Sequence, residues 1–388
     1  MKEFQFELPT RIVFGEGKFE KIGEITKEFG KKAFLVIDPS LKKVLSQRTT
    51  NILEKVNIPS IEFNDIQPNP PYTKIDEASV IAKKEKCDLI IGIGGGSAID
   101  TAKAVAVVLG GGGSAWDYVQ RTDHEVKKPA KATPPIIAVP TTAGTGSETT
   151  LYSVLTNPII KEKSTIISSI IFPKIALVDP ELTISMPPFL TASTGFDAFA
   201  HAVEAYISVN SNPLSDIFAL EAIKLLSKYL PGVVANGRDI VARGEVAFGA
   251  TLAGVAISHG GTTLPHAIGQ AVGGYYNAPH GGTIAASYVA IMEYSFISNQ
   301  TKFAKIAEIM DPSVATLPLR TKAEKAVVLI EQFLKDINLN VKFSDYGVKK
   351  EDVPKLVESV LKGYKQDVEA HPRVANKEEI ANIYYKCL

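Results

Sequence analysis

The stretch CDLIIGIGGGSAIDTAKAVAVVLG, residues 87–110, changes from strand to helix at a cluster of glycines. Residues 87–97 form a short apolar run that ends in glycines, which predicts a buried strand followed by a tight turn. Residues 98–110 predict a helix. A strand that turns through glycines directly into a helix is typical of a βαβ unit, so this stretch indicates an α/β fold.

The flanking segments continue the alternation of strand and helix. Strand patterns occur at residues 4–15, 31–38, 59–65 and 134–142, and helical patterns at residues 40–56 and 74–86. Elements that alternate at these lengths imply βαβ units and a parallel sheet. The glycine run at 110–114 is predicted to be a flexible loop that links two of these elements.

The pattern changes after the last predicted strand. From residue 186 onward the chain reads as long helices, and strand-like runs are scarce. We therefore predict two domains. Residues 1–185 are expected to form an α/β domain with a parallel sheet, and residues 186–388 an all-helical domain.

Composition excludes several classes of partner. A chain of 388 residues is long enough for two domains, and 45% hydrophobic with 22% charged residues is typical of a globular protein. Lys+Arg and Asp+Glu are equal at 42 each, so the charge gives no reason to expect nucleic acid or a membrane surface as a partner.

Cysteine usage and the N-terminal sequence bear on the compartment. Cys87 and Cys387 cannot build a disulfide framework or a zinc ribbon, which suits a reducing cytosol. The N-terminal residues have no apolar signal-peptide core, and no apolar run approaches the roughly 20 residues that span a bilayer. We expect a soluble, cytoplasmic protein.

The glycine-rich turn has the chemistry of a phosphate site. Gly92, Gly94, Gly95 and Gly96 let the backbone approach a diphosphate closely, and the helix that opens near Ser97 offers free N–H groups. The spacing is not a complete G-x-G-x-x-G, because Ser97 takes the place of the third glycine. A tight turn without a ligand explains the glycines equally well.

Two further segments favour a nucleotide. Residues 138–148 follow a predicted strand and contain four hydroxyl side chains suited to a ribose or phosphate: Thr141, Thr142, Thr145 and Ser147. Asp38 ends the strand at 31–38, where a carboxylate can bind the adenosine ribose and would repel the extra phosphate of NADP. A polar loop and a turn-forming Asp-Pro pair are the alternatives.

Four side chains are candidate metal ligands. Asp197 and His201 are four residues apart in a predicted helix, so both can face one ion, although a carboxylate–histidine pair can also be purely structural. His266 and His280 flank a run rich in Gly, Tyr and Asn. One carboxylate and three imidazoles suit Fe²⁺, Zn²⁺, Co²⁺ or Mn²⁺. His124, in a charged stretch predicted to be a solvated loop, is a weaker candidate.

Five segments together resemble the iron-containing (group III) alcohol dehydrogenases. They are residues 92–103 (GIGGGSAIDTAK), 139–148 (VPTTAGTGSE), 179–183 (DPELT), 194–206 (TGFDAFAHAVEAY) and 276–282 (YNAPHGG). The resemblance covers nearly the whole chain and weakens after about residue 300. It implies the fold shared with dehydroquinate synthase, with an α/β dinucleotide-binding domain, an all-helical domain and the active site in the cleft between them.

The resemblance also assigns residues. It implies metal ligands at Asp197, His201, His266 and His280. It implies a cofactor site, with NAD favoured over NADP by Asp38, formed with Asn69, Gly95, Gly96, Ser97, Asp100, Thr141, Thr142, Thr145, Ser147, Lys163 and Leu182. Family members are commonly homodimers or larger assemblies, so a homo-oligomer is expected. The metal is expected to be Fe²⁺, with Zn²⁺ or another divalent ion as alternatives.

One position departs from the family pattern. Many relatives carry a histidine four residues after the third ligand, where it is thought to relay a proton, and this chain has Gln270 there. An amide cannot act as a general base near neutral pH, so no catalytic group beyond the metal ligands is assigned.

The expected function is NAD-linked interconversion of a small alcohol and its aldehyde or ketone at a divalent metal. A cyclising lyase that resembles dehydroquinate synthase, an enzyme that resembles glycerol dehydrogenase and a nucleotide-binding protein without activity are the alternatives. The first of these requires a basic cluster for a phosphate-bearing substrate, and the segment from 190 to 280 contains few Lys or Arg residues.

Overall fold

The computed structural model describes residues 3–121 and 125–388, so His124 lies outside the described residues. Within those ranges the strands are β1 (Arg11–Phe14), β2 (Ala33–Ile37), β3 (Ser60–Phe63), β4 (Leu89–Gly94), β5 (Ile136–Pro140), β6 (Tyr152–Asn157), β7 (Glu162–Ile167) and β8 (Ile175–Val178). The helices of the first half are α1 (Ile22–Thr26), α2 (Gln47–Lys55), α3 (Tyr72–Lys84) and α4 (Gly96–Gly111).

The second half is helical. Its helices are α5 (Pro188–Ile207), α6 (Pro213–Ala235), α7 (Ile240–Gly260), α8 (Leu264–Tyr276), α9 (His280–Ser295), α10 (Gln300–Met310), α11 (Leu319–Asp336), α12 (Val353–Gly363), α13 (Lys365–Ala370) and α14 (Lys377–Lys386). Among the described residues that follow β8, no strand is present. The predicted change from α/β to all-helical structure is confirmed.

Six strands form one parallel sheet in the order β1-β8-β5-β4-β2-β3. Along β2, Phe34 and Val36 are buried in the apolar cluster on one face of the sheet, and Ala33 and Leu35 are buried in the cluster on the other. Because both faces are covered, the strands read as continuous apolar runs rather than alternating ones. The predicted parallel sheet is confirmed.

The order of the strands reverses beside β2. The chain runs from β2 outward to β3, then returns to place β4 on the other side of β2 and continues to β5. The loops that follow β2 and β4 therefore diverge at the carboxyl edge of the sheet, which is where open α/β sheets bind ligands. Asp38 follows β2 and Gly95 follows β4, so both lie at this edge.

Two local predictions were only partly right. The strand expected over residues 4–15 is only Arg11–Phe14, because the segment before it is not paired with the sheet and Phe6 instead stacks on His259 with ring centroids 4.0 Å apart. The glycine run at 110–114 is a connecting loop only over residues 112–114. Helix α4 continues to Gly111, and Tyr118 and Lys127 donate hydrogen bonds to the carbonyl of Gly112.

The antiparallel hairpin of β6 and β7 was not predicted. The hairpin follows the hydroxyl-rich segment at residues 138–148. Tyr152, at the start of β6, pairs with Ile167, at the end of β7. Half of its side chains are only partly buried, so it lacks the continuous apolar pattern that identified the central strands.

The described chain divides into two compact units by its internal contacts. One, the sheet unit, consists of Glu7–Thr142 and Gly146–Thr183. The other, the helical unit, consists of Ile184–Leu388 with Ala143–Thr145 and the residues up to Phe6. The assignment of dinucleotide binding to residues 1–185 and of metal binding to residues 186–388 stays a prediction.

Helix α7 is long and apolar enough to cross a membrane, which the sequence analysis did not anticipate. Its most apolar 18-residue window is 72% buried within the protein. It also packs against both α5 and α6. These are the features of a core helix, which passes the same length and composition test as a membrane span.

Candidate active site

Helix α5 brings three ionisable side chains to one face. Asp197, His201 and Glu204 are spaced i, i+4 and i+7, which places them in one row along a helix. Their exposed fractions are 3%, 5% and 0%. Buried ionisable groups in such a row need partners, and those partners come from α8 and α9.

Three imidazole nitrogens surround a single carboxylate oxygen. The distances from Asp197 Oδ1 are 3.7 Å to His201 Nε2, 3.4 Å to His266 Nε2 and 3.6 Å to His280 Nε2. Potential ligand atoms of Asp197, His201 and His266 all lie within 4.8 Å of one another. His280 begins α9, and its side chain is 31% exposed, so it forms the open side of the cluster.

The ligand atoms fit a divalent metal. Among the described residues, Asp197 Oδ1 and His266 Nε2 are buried without a hydrogen-bond partner. Leaving such atoms unsatisfied costs about 1–3 kcal/mol each, and a cation between them would satisfy both. One carboxylate with several imidazoles is a donor set that Fe²⁺, Zn²⁺ and neighbouring ions accept.

The electrostatics of the cluster also favour a cation. Although burial favours its neutral form, His201, His280 and His266 hold the pKa of Asp197 well below its usual range. Burial lowers the pKa of His201 against the attraction of Asp197. Burial acts in the same direction on His266, but Glu204 and Asp197 outweigh it and raise its pKa to about 10. The lowered pKa of Asp197 favours its ionised form, which attracts a cation to the cluster.

Glu204 was missed by the sequence analysis. Its Oε1 lies 2.7 Å from His266 Nδ1, on the side of the ring opposite the cluster. The signal for it was present, because Glu204 follows His201 by three residues and so continues the same helical row.

The glycine turn of the sheet unit is built for close approach. Gly94 has φ +152°, and a side chain there would come within 2.7 Å of Ala98 and 2.9 Å of Asp38. Gly95 caps α4 without a side-chain hydrogen bond, so the N–H groups of the first turn, at Gly96 and Ser97, keep the character of an anion site. Thr142 lies beside the turn, 3.3 Å from where a Gly95 side chain would begin.

Asp38 lies next to this turn. Its backbone N–H donates to Ile93 O, and its Oδ1 accepts hydrogen bonds from the backbone N–H and the hydroxyl of Ser40 at 2.9 and 2.6 Å. The carboxylate thus caps the short turn that follows β2, as the Asp-Pro alternative proposed. Both bonds use one of its two oxygens, so the capping role is compatible with a ribose contact.

Asp100 and Ser147 belong to an internal polar network. Ser147 Oγ donates to Asp100 Oδ1 at 2.6 Å, and Asp100 Oδ2 accepts from the Val154 N–H at 3.0 Å. Lys103, fully buried, donates to Ser147 Oγ and to the carbonyls of Thr150 and Tyr152. Burial raises the pKa of Asp100 and lowers that of Lys103 to about 8. Lys103 was missed, although it follows Asp100 by three residues on α4.

The remaining predicted cofactor residues are placed as follows. Asn69 has a left-handed backbone with φ +56°, Lys163 lies in β7 opposite Thr156, and Leu182 packs into an apolar cluster of the sheet unit. Thr141 donates its N–H to Gly94 O, whereas Thr145 belongs to the helical unit.

Gln270 lies on α8, one turn after His266. The i, i+4 spacing places the two side chains on the same face of that helix. Gln270 is partly exposed, whereas His266 is buried.

The chain matches two family profiles that together cover most of its length. The profile for "Iron-containing alcohol dehydrogenase" matches residues 9–180. The profile for "Fe-containing alcohol dehydrogenase family, C-terminal" matches residues 191–388.

Full-length relatives carry related names. The chain is 38% identical to a NAD-dependent methanol dehydrogenase of Bacillus methanolicus, over 99% of each sequence. It is 36% identical to a 1,3-propanediol dehydrogenase of Klebsiella pneumoniae, over 98% of each. Among solved structures, an archaeal halo-thermophilic alcohol dehydrogenase from a Red Sea brine pool superposes with a TM-score of 0.95 at 36% identity, covering 100% of both chains.

Proposed function

The chain belongs to the iron-containing alcohol dehydrogenase family, and from that premise we propose which of its residues perform the reaction. The protein is a NAD-linked alcohol dehydrogenase that interconverts a small alcohol and its carbonyl product. Asp197, His201, His266 and His280 hold the metal, and the glycine turn at Gly95–Ser97 holds the cofactor diphosphate.

The observation that carries the metal assignment is the convergence of three Nε2 atoms on Asp197 Oδ1, at 3.4 to 3.7 Å. A divalent ion bound there supplies Lewis acidity, which lowers the cost of negative charge on a substrate oxygen. Asp197 offsets only one of the two charges of such an ion, and the neutral imidazoles offset none. These four ligands alone would therefore leave one charge of such an ion uncompensated, which would favour negative charge on a substrate oxygen.

NAD supplies the redox chemistry. Gly94 and Gly95 provide the space for a diphosphate at the carboxyl edge of the sheet. The first turn of α4 presents N–H groups that stabilise the negative charge of the phosphates. Asp38, beside that turn, supports the preference for NAD, because its carboxylate would repel a 2′-phosphate.

This chain has Gln270 where many relatives carry a histidine, so the alcohol proton must leave by a route that does not use this side chain as a base. Its amide can donate and accept hydrogen bonds but cannot take up a proton near neutral pH. We propose that Gln270, which is partly exposed, orients a water through which the proton would reach solvent.

The segment from 190 to 280, which supplies all four proposed ligands, contains only four basic residues, and this argues against a phosphate-bearing substrate. Of the four between residues 190 and 280, Arg243 is buried and donates to Gly237 O and Thr191 Oγ1, and Lys224 pairs with Glu221 on the surface. Lys228 lies over the ring of Tyr229, and Arg238 precedes α7. A small uncharged alcohol suits the cluster better than a substrate like that of dehydroquinate synthase.

Four finer assignments complete the proposal: Fe²⁺ as the native metal, NAD as the preferred cofactor, a homodimer or larger homo-oligomer, and a cytoplasmic location. The family name supports iron, and the NAD-dependent methanol dehydrogenase supports NAD. Balanced charge and two buried, unpaired cysteines support a soluble protein in a reducing compartment.

Metal analysis of anaerobically purified protein tests the proposed function. We expect about one divalent ion per chain, with NADH formed from NAD and a short primary alcohol or diol. Removal of the ion by a chelator should abolish turnover, and Fe²⁺ should restore it. Protein that keeps full activity without metal, or that forms no NADH with any alcohol in a broad panel, would contradict the proposal.

Asp38→Asn should relax the choice of cofactor. Asparagine keeps the Oδ1 acceptor for Ser40 but removes the charge, so the repulsion of a 2′-phosphate is lost. We expect the ratio of kcat/KM for NADP over NAD to rise at least about tenfold, because a close like-charge pair costs more than about 1.4 kcal/mol. Ser40→Ala, which keeps the carboxylate, is the control and should leave the ratio unchanged. A wild-type enzyme that prefers NADP would overturn the role of Asp38.

A further inference from the structure

A chain of buried polar groups lies behind His266. Glu204 Oε1 is 2.7 Å from His266 Nδ1, and Glu204 Oε2 accepts the Thr263 N–H at 2.7 Å and the Thr263 hydroxyl at 3.0 Å. His371 Nδ1 is 3.1 Å from the same hydroxyl, and its Nε2 is 2.5 Å from Ser295 Oγ. Glu204, Thr263, His371 and Ser295 have exposed fractions of 0%.

We propose that Glu204 is a positioning residue that holds His266 in the tautomer with hydrogen on Nδ1, so that the Nε2 lone pair faces Asp197 and the metal. This inference rests on the proposed metal site and concerns a residue outside its ligand set. An ionised carboxylate only accepts hydrogen bonds, so it selects the ring form that donates from Nδ1. Which nitrogen carries the hydrogen follows from the partners.

The groups behind Glu204 fix its orientation. The backbone N–H of Thr263 can only donate, so Oε2 must be an acceptor whatever else changes. The Thr263 hydroxyl donates a second hydrogen bond to the same oxygen at 3.0 Å, so Oε2 accepts twice from one residue. Thr263 precedes α8, the helix that carries His266, so the same residue anchors the carboxylate and the start of the ligand helix.

This geometry makes Glu204→Gln a sharp test. The glutamine oxygen must face the Thr263 N–H, because an amide NH₂ there would oppose another donor. The NH₂ group then faces His266 Nδ1 and requires a lone pair on that nitrogen. The hydrogen of a neutral His266 is thereby moved to Nε2, where it blocks metal coordination, although the substitution changes the shape of the side chain very little.

Asp367→Asn is the matched control. Asp367 lies in the same unit, and its Oδ1 accepts the Thr262 hydroxyl at 2.7 Å, a bond that the asparagine oxygen retains. The substitution removes one carboxylate charge four residues before His371 and leaves all four proposed metal ligands unchanged. Each variant is made in the full chain, and its fold is checked by thermal melting of the metal-free protein.

Zn²⁺ affinity is measured by competition with a chelating indicator. We expect Glu204→Gln to lose roughly 10- to 100-fold in affinity, the range found when the outer partner of a ligating histidine is removed. Asp367→Asn should stay within about threefold of wild type. The six histidines of the chain also permit ¹⁵N-histidine NMR of the Zn²⁺-loaded protein. His266 should show Zn²⁺ on Nε2 in wild type and hydrogen on Nε2 in Glu204→Gln.

The outcomes separate the two proposals. Wild-type affinity and an unchanged His266 spectrum in Glu204→Gln would overturn the positioning role and leave the metal site standing. Equal losses in both variants would mean that lost negative charge, not the tautomer, weakens binding, and would also overturn the role of Glu204. A wild-type protein that binds no divalent metal would instead contradict the proposed function itself.

Discussion

His266→Asn is expected to lower kcat/KM for an alcohol at least about a thousandfold, while the affinity for NAD stays within a few-fold of wild type. The Lewis acidity of a bound metal is worth several kcal/mol in the transition state, and each 1.36 kcal/mol is a factor of ten in rate. The asparagine amide can still donate to Glu204 Oε1, so the variant removes Nε2 without leaving the buried carboxylate unpaired. Metal content, steady-state kinetics and NAD titration measure the three effects.

His259→Asn is the matched control for this variant. His259 also lies in the helical unit, in the last turn of α7. Its ring stacks on Phe6 and is not part of the ligand cluster. The control should keep its metal and its turnover. If His266→Asn binds metal and turns over like wild type, the proposed ligand set is wrong. If both variants lose activity equally, the loss comes from the helical unit as a whole.

The spacing of α5 shows what local sequence can predict about the candidate site. Asp197 and His201 are one helical turn apart, so their shared face followed from periodicity alone. His266 lies in α8 and His280 begins α9, and no local pattern fixes how these two helices pack against α5. Their inclusion rested on composition and on the family resemblance, and the convergence of their Nε2 atoms on Asp197 Oδ1 needed the tertiary structure.

The cofactor side shows the limit of assigning residues by chemical type. Ser147 was chosen because hydroxyls suit a ribose or phosphate, yet its Oγ donates to Asp100 and accepts from Lys103. Those partners are 47 and 44 residues away in sequence, so no window around Ser147 reveals them. By contrast, the strand–turn–helix at Gly94–Gly96 was predictable, because the glycines, the strand and the helix are contiguous and each is fixed by local sterics.

Gly281→Ala should disrupt the ligand cluster without changing any ligand. Gly281 follows His280 in the first turn of α9, and a Cβ there would lie 2.0 Å from the carbonyl oxygen of Ser193 and 2.7 Å from its carbonyl carbon. Both atoms are backbone of α5, which cannot rotate away as a flexible side chain would. The methyl group must therefore push α9 from α5, and with it His280 from Asp197, whose atoms are 3.6 Å apart. Metal affinity and thermal stability should both fall.

Overpacking of this kind typically costs 1–3 kcal/mol and can cost more when backbone must move, so we expect at least about 2 kcal/mol less unfolding free energy. Gly232→Ala is the matched control, since Gly232 lies inside α6 and a Cβ there would meet nothing within 4 Å. Alanine is favoured over glycine in a helix by roughly 1 kcal/mol, so the control should stabilise the protein and keep its metal. Replacing glycine by alanine is predicted to lower the free energy of unfolding at position 281 and to raise it at position 232. Denaturant unfolding of both variants therefore tests the packing directly. A Gly281→Ala protein as stable as wild type, with unchanged metal affinity, would show that α5 and α9 are not in the close contact on which the position of His280 depends.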